Sequence, residues 1–129
     1  MRLYRHFDGI LKEHQGGAIA IGNFDGVHLG HQEVVKTAGD FARKHSIPWG
    51  VLTFEPHPRS YFNEGVAPFR LTPFHLKARY IDEMGVDFLV VLRFNNKLAK
   101  MSAEDFISKV LVSGFQARHI ISGSDFVYG

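Results

Sequence analysis

Short apolar runs alternate with stretches of helical periodicity along this chain, and that alternation is what most restricts its fold. Ala18-Ile-Ala-Ile21 lies between Gly16-Gly17 and Gly22 and reads as a buried strand. Beyond a turn at 23–27, Val34, Val35, Ala38, Phe41 and Ala42 recur at helical spacing, predicting a helix from about His28 to Ser46 that Pro48 stops. Trp49 to Phe54 is a second strand, followed by a loop from Glu55 to Leu71 with three prolines, a length that suits a lid or binding loop. Thr72-Pro73 opens a second helix, the hydroxyl able to cap it and the proline fitting its first turn; it closes at Gly85 in a left-handed cap. Val86 to Leu92 is a third strand. Ser102-Ala-Glu-Asp105 resembles a capping box and opens a helix that ends near Gly114, and Arg118 to Ser122 is a fourth strand.

Connections of this length favour parallel pairing, so the expected fold is α/β, an open Rossmann-like parallel sheet with helices on both faces. Ligands of such sheets sit beyond the carboxyl ends of the strands. The turns after the first, second and fourth predicted strands would therefore share one edge. They carry the three most unusual stretches of the sequence, 23–31, 55–59 and 122–129.

Composition narrows the chemistry. The chain has 129 residues, 45% of them hydrophobic and 22% charged, which suits one globular domain. With no cysteine, a disulfide scaffold, a thiolate zinc site and a cysteine nucleophile are all excluded. No aliphatic or aromatic run approaches the ~18 residues that span a bilayer. The N-terminus lacks the apolar core of a secretory signal. Fifteen basic residues stand against thirteen acidic ones and form no basic stripe, so no nucleic-acid partner and no membrane are expected, and the expected location is cytoplasmic. The sequence carries no signal of oligomeric state.

The first turn reads Gly22-Asn-Phe-Asp-Gly-Val-His-Leu-Gly-His31. Its glycines allow close approach of a ligand, and the helix that follows aims its N-terminus at the same space, a favourable place for phosphate. His28 and His31 are three apart and share a face in the first helical turn. Two imidazoles there can donate to phosphate oxygens and stabilise charge that grows in a transition state. The glycine spacing misses the dinucleotide fingerprint, and no Walker lysine follows. A metal site made of His28, His31 and His57 is the competing reading, although no carboxylate or thiolate is compellingly placed beside them.

Four segments occur in order: the 22–31 turn, Phe54-Glu-Pro-His-Pro58, Leu71-Thr-Pro73 and Gly123-Ser-Asp-Phe-Val-Tyr-Gly129. Together they resemble the FMN adenylyltransferase module of bacterial FAD synthetases, the bifunctional riboflavin kinase/FMN adenylyltransferases. The H-x-G-H element alone would indicate only the wider nucleotidyltransferase superfamily.

The resemblance implies a fold of the HxGH nucleotidyltransferase type and transfer of an adenylyl group from ATP to FMN, giving FAD and pyrophosphate, with Mg²⁺ carried by the ATP phosphates. His28 and His31 would hold those phosphates, and Gly22, Asn23, Phe24, Asp25, Gly26, Gly30 and His57 would line the nucleotide. Pro56, Pro58, Phe62, Asp125 and Phe126 would meet the flavin, with Asp125 also a candidate contact for Mg²⁺ and no other side chain ligating it directly. By the same resemblance, 1–129 is a single nucleotidyltransferase domain, incomplete at its C-terminal end, with the riboflavin kinase module outside it. The alternatives are a nucleotidyltransferase with another acceptor, of the pantetheine-phosphate or glycerol-phosphate type, and a flavin- or nucleotide-binding module without turnover.

Overall fold

The computed structural model describes residues 1–24, 29–55, 74–93 and 95–123, with only the backbone at 29–31. Five parallel strands form its sheet: β1 (Arg2–Tyr4), β2 (Ala18–Ile21), β3 (Trp49–Glu55), β4 (Phe88–Arg93) and β5 (His119–Ser122), in the order β1-β4-β3-β2-β5. The helices are α1 (Leu29–His45), α2 (Phe74–Glu83), the single turn α3 (Asn96–Ala99) and α4 (Ala103–Asp105), which continues as a π-helix over Phe106–Gly114. A 3₁₀ turn covers Lys12–His14.

The pleat sorts the strand residues onto two faces. Ile19, Ile21, Leu52, Phe54, Val90 and Leu92 pack with Phe106, Val110, Leu111 and Phe115 of the π-helical side. Ala18, Ala20, Val51, Leu89 and Val91 pack with Val35, Ala38 and Ala42 of α1 and Ile81 of α2. Both faces are covered, as the alternation of strands and helices implied. The small residues of β2 are all on the α1 side, where they let that helix lie close to the sheet.

Local chemistry sets the ends of the helices. Ser46 takes a left-handed φ of 54° at the end of α1. Its amide donates to the Arg43 carbonyl at 3.3 Å and that of Ile47 to the Ala42 carbonyl at 3.0 Å, a Schellman pair two residues ahead of Pro48. Gly85 closes α2 at φ 96°, the left-handed cap expected there. Ser102 Oγ accepts from the Asp105 amide at 3.1 Å, so the N-cap read from the sequence is formed. Thr72-Pro73, the expected opening of α2, lies outside the described residues.

The sequence reading did not include β1, α3 or the π-helical hydrogen bonding of the last helix. β1 is a three-residue edge strand with Arg2 and Leu3 exposed, so no apolar run marks it. It is held by its ladder with β4 and by Tyr4, whose hydroxyl meets His14 Nδ1 at 2.7 Å.

One close approach inside the sheet is exacting. Gly50 pairs directly with Phe88, and a Cβ at Gly50 would lie 2.2 Å from that ring. Gly50→Ala is expected to destabilise the fold by about 2–3 kcal/mol, lowering the melting temperature by roughly 10 °C. A urea titration followed by fluorescence of Trp49, the only tryptophan and a buried one, checks this.

Candidate active site at the carboxyl edge of the sheet

Three of the strand ends carry the sequence motifs, and the register makes them neighbours. Ile21 at the end of β2 pairs with Leu52 on one side and with Ser122 on the other. Gly22 extends the ladder by one residue, its amide donating to the Leu52 carbonyl at 3.1 Å. The 22–31 turn, the segment after Glu55 and the segment after Ser122 thus leave from three adjacent strands, spanning about 10 Å across the sheet. β2 is also where the strand order reverses, since β3 follows on one side and β5 lies on the other. Crevices for ligands form at such points.

The first turn is anchored from inside. Phe24 has a left-handed φ of 54°, rare for an aromatic residue and costing on the order of 1–2 kcal/mol. Its ring folds back over Gly22, where a Cβ would come within 2.9 Å of it. The ring is 5% exposed and packs with the cluster under α1 and α2, beside Val35 and Ile81. Burying that ring contributes about 2 kcal/mol, enough to offset the backbone conformation.

A lysine absent from the sequence reading completes the anchor. Lys77 of α2 is 2% exposed, yet its ammonium group lies at the sheet edge. Nζ donates to the Asn23 carbonyl at 2.9 Å and pairs with Glu55 Oε1 at 2.8 Å, with Thr53 Oγ1 3.5 Å away. Thr53 Oγ1 also donates to the Asn23 carbonyl, at 3.3 Å. One α2 side chain therefore joins the turn after β2 to the end of β3. A signal existed in the sequence: Phe74, Ala78 and Ile81 mark the inward stripe of α2, and Lys77 interrupts it. A charge at that position stays only where it is paired and hydrogen-bonded.

Asn23 contributes a second polar feature. Its Oδ1 is buried without a hydrogen-bond partner in the described structure. A buried acceptor left unmet is an energetic cost that an added hydrogen-bond donor can remove.

Of the residues singled out from the sequence, Gly22, Asn23 and Phe24 are placed as described. Gly30 and His31 belong to the first turn of α1, which puts their backbone at the start of that helix. Asp25, Gly26, His28, Pro56, His57, Pro58, Phe62, Asp125 and Phe126 lie outside the described residues. Phe54, the first residue of the Phe54-Glu-Pro-His-Pro58 segment, is core: it is 1% exposed, its ring centroid 6.1 Å from that of Phe106.

Farther along the same edge, a groove of about 400 Å³ opens at the ends of β1 and β4. Arg5, His6, Arg93 and Lys97 line it, over an apolar floor that includes Leu92, Leu98 and Met101. Such a lining suits an anion with an apolar body.

The comparisons with known proteins agree with this geometry. The family model described as FAD synthetase matches residues 10–129. The chain is 36% identical over 129 residues to a bifunctional riboflavin kinase/FMN adenylyltransferase of Buchnera aphidicola, covering 100% of this chain and 41% of that protein. The enzyme of the same description from Escherichia coli K12 is 38% identical over 130 residues, covering 100% and 42%. That from Bacillus subtilis is 37% identical over 126 residues, covering 96% and 40%. The chain thus spans about two-fifths of the length of the curated relatives it matches. Among solved structures, one titled as a macrolide-efflux protein from Streptococcus pneumoniae superposes with a TM-score of 0.81 at 25% identity, over 100% of this chain and 43% of that one. Among the described residues no helix is long and apolar enough to cross a membrane. With the family model covering nearly the whole sequence and the motif-bearing segments leaving adjacent strand ends, the chain belongs to the FAD synthetase family.

Proposed function

We propose that this chain carries the adenylyl-transfer site of a bifunctional riboflavin kinase/FMN adenylyltransferase, joining FMN to the AMP part of ATP. The observation that carries the reading is the adjacency of the turns after β2, β3 and β5, each of which bears a motif that resembles the family's. A phosphate oxygen of FMN attacks the α-phosphorus of ATP. The bond to the bridging oxygen breaks, and pyrophosphate leaves. No covalent enzyme intermediate is needed, so catalysis consists of positioning and charge stabilisation.

His28, which precedes α1 in sequence, and His31 of its first turn hold the ATP phosphates and stabilise the departing pyrophosphate. The start of that helix adds backbone donors and the positive end of its dipole. Gly22, Asn23, Phe24, Asp25, Gly26 and Gly30 form the wall beside the nucleotide, with the ring of Phe24 turned into the core so that its backbone faces the ligand. His57 contacts phosphate from the turn after β3. Pro56, Pro58, Phe62 and Phe126 offer faces to the isoalloxazine ring, where stacking contributes about 1 kcal/mol beyond burial. The basic groove at β1 and β4 adds a wall of suitable charge for acidic substrates.

Mg²⁺, when bound, neutralises phosphate charge. At the described strand ends, Glu55 is held by Lys77, so the donor set there fits an ion carried by ATP oxygens rather than one caged by carboxylates. Asp125 is the residue that would reach it from the β5 turn. The domain operates in the cytoplasm, with ATP and FMN as its partners.

An enzyme that uses a different acceptor would share the histidines and the helix but ignore flavin. FMN, 4′-phosphopantetheine and glycerol 3-phosphate offered separately with ATP and Mg²⁺ distinguish the two readings. Adenylylation of FMN alone is expected; adenylylation of another acceptor in preference to FMN contradicts the flavin assignment. Replacing His28 and His31 together by Ala should lower the FMN reaction by more than about 1,000-fold while circular dichroism still reports a folded chain. Normal turnover in that double variant removes both histidines from the mechanism.

A further inference from the structure

We infer that Lys77 is a positioning residue for adenylyl transfer, fixing the phosphate-binding turn after β2 to the end of β3. The inference rests on the function proposed above and adds a part that no motif of the sequence contains.

Four groups meet at this point: the Lys77 ammonium, the Asn23 carbonyl, the Thr53 hydroxyl and the Glu55 carboxylate. Asn23, Thr53 and Glu55 come from segments that lead directly to a proposed ligand-facing stretch. Asn23 is two residues before Asp25 and five before His28, and Glu55 immediately precedes Pro56 and His57. Lys77 lies outside both stretches and comes from α2, the helix that follows the long 56–73 segment. Its ammonium is 2.8 Å from a carboxylate oxygen and 2.9 Å from the Asn23 carbonyl, so one rigid connection sets the separation of the two turns.

A purely structural ion pair would not need this placement. A buried lysine is expensive, and an apolar side chain at an inward position of α2 is often neutral or stabilising by comparison. Here the ammonium is spent on a backbone carbonyl, the group through which the path of the turn is set. The backbone at Asn23 and Phe24 is already committed by the left-handed Phe24 and by the ring over Gly22. Lys77 adds a further restraint, shared with Thr53 at the same carbonyl, from the side of β3. Its effect on the reaction is geometric: a displacement of about 1 Å in groups that hold the reacting phosphates costs on the order of 100-fold in rate.

The test uses the full-length protein with FMN, ATP and Mg²⁺. Lys77→Met, which keeps the length of the side chain and removes the charge, should lower kcat for FAD formation by about 100-fold. Lys77→Arg, still able to reach a carbonyl and a carboxylate, should recover to within about 10-fold of the parent. Amide hydrogen exchange gives the readout that general destabilisation would not reproduce. In Lys77→Met, exchange at 22–24 should accelerate at least about 10-fold while Leu89, Val90 and Val91 in β4 keep their protection. FAD formation within threefold of the parent overturns the inference, as does exchange that rises equally in β4. Should Lys77→Met fail to fold, Glu55→Gln decides, with a drop of about 10-fold in kcat and faster exchange at 22–24 expected; unchanged exchange there contradicts the inference. A parent protein that forms no FAD overturns the proposed function instead, and the exchange comparison then still decides whether Lys77 holds the turn.

Discussion

β2 is bonded on both sides, to β3 and to β5, and all four of its residues are buried. A strand in that position has its backbone polar groups satisfied by its neighbours, and its register cannot slip without exchanging Ile19 and Ile21 for Ala18 and Ala20 across the sheet. That exchange would drive large side chains into α1 and leave the π-helical face short of contacts. The position of Gly22 follows from this constraint, and so does the direction in which the chain leaves the sheet. The turn after β2 is therefore aimed by the core, several residues before any side chain with chemistry appears.

The polar groups at the edge complete what the core begins. Phe24 accepts an unfavourable backbone conformation because its ring is buried, and the same ring occupies the space over Gly22. Lys77, Thr53 and Glu55 then bind the outgoing backbone at Asn23 to the end of β3. A loop held only by its own residues would sample many positions, at an entropic cost to any ordered complex. Here the restraints on residues 22–24 come from β3, α1 and α2, so that stretch is held before a ligand arrives. Phosphoryl and adenylyl transfer depend on such preorganisation, since the protein forms no bonds of its own to the reacting centre.

Much of this was legible in the residues. Ala18–Ile21 is an uninterrupted apolar run and Trp49–Phe54 a largely apolar one broken by Thr53, both of strand length, and both are strands. Val34 to Ala42 at helical spacing gave α1, and Gly85 and Ser102 marked their helix ends through backbone chemistry that does not depend on the rest of the fold. That the three motif-bearing segments share one sheet edge followed from parallel pairing; that they leave adjacent strands depends on the strand order, which local pattern does not carry. β1 was not legible because an edge strand of three residues leaves no apolar run, and its partner β4 is more than 80 residues away in sequence. The inward turn of the Phe24 ring was hidden as well, since within a Gly- and Asp-containing motif an aromatic residue reads as a ligand contact. The role of Lys77 depends on a contact with residues 54 positions earlier in the chain. Local pattern marks it as an interruption of an apolar stripe and says nothing about its partner.

The central claim is that the turns at this sheet edge carry adenylyl transfer to FMN, and the fate of the α-phosphorus tests it most directly. The full-length protein, supplied with FMN, Mg²⁺ and ATP labelled with ³²P at the α-position, is followed by chromatography. The account predicts label in FAD, with one unlabelled pyrophosphate released for each FAD formed. Label that stays in ATP, or passes to AMP or ADP while FMN is unchanged, would contradict it.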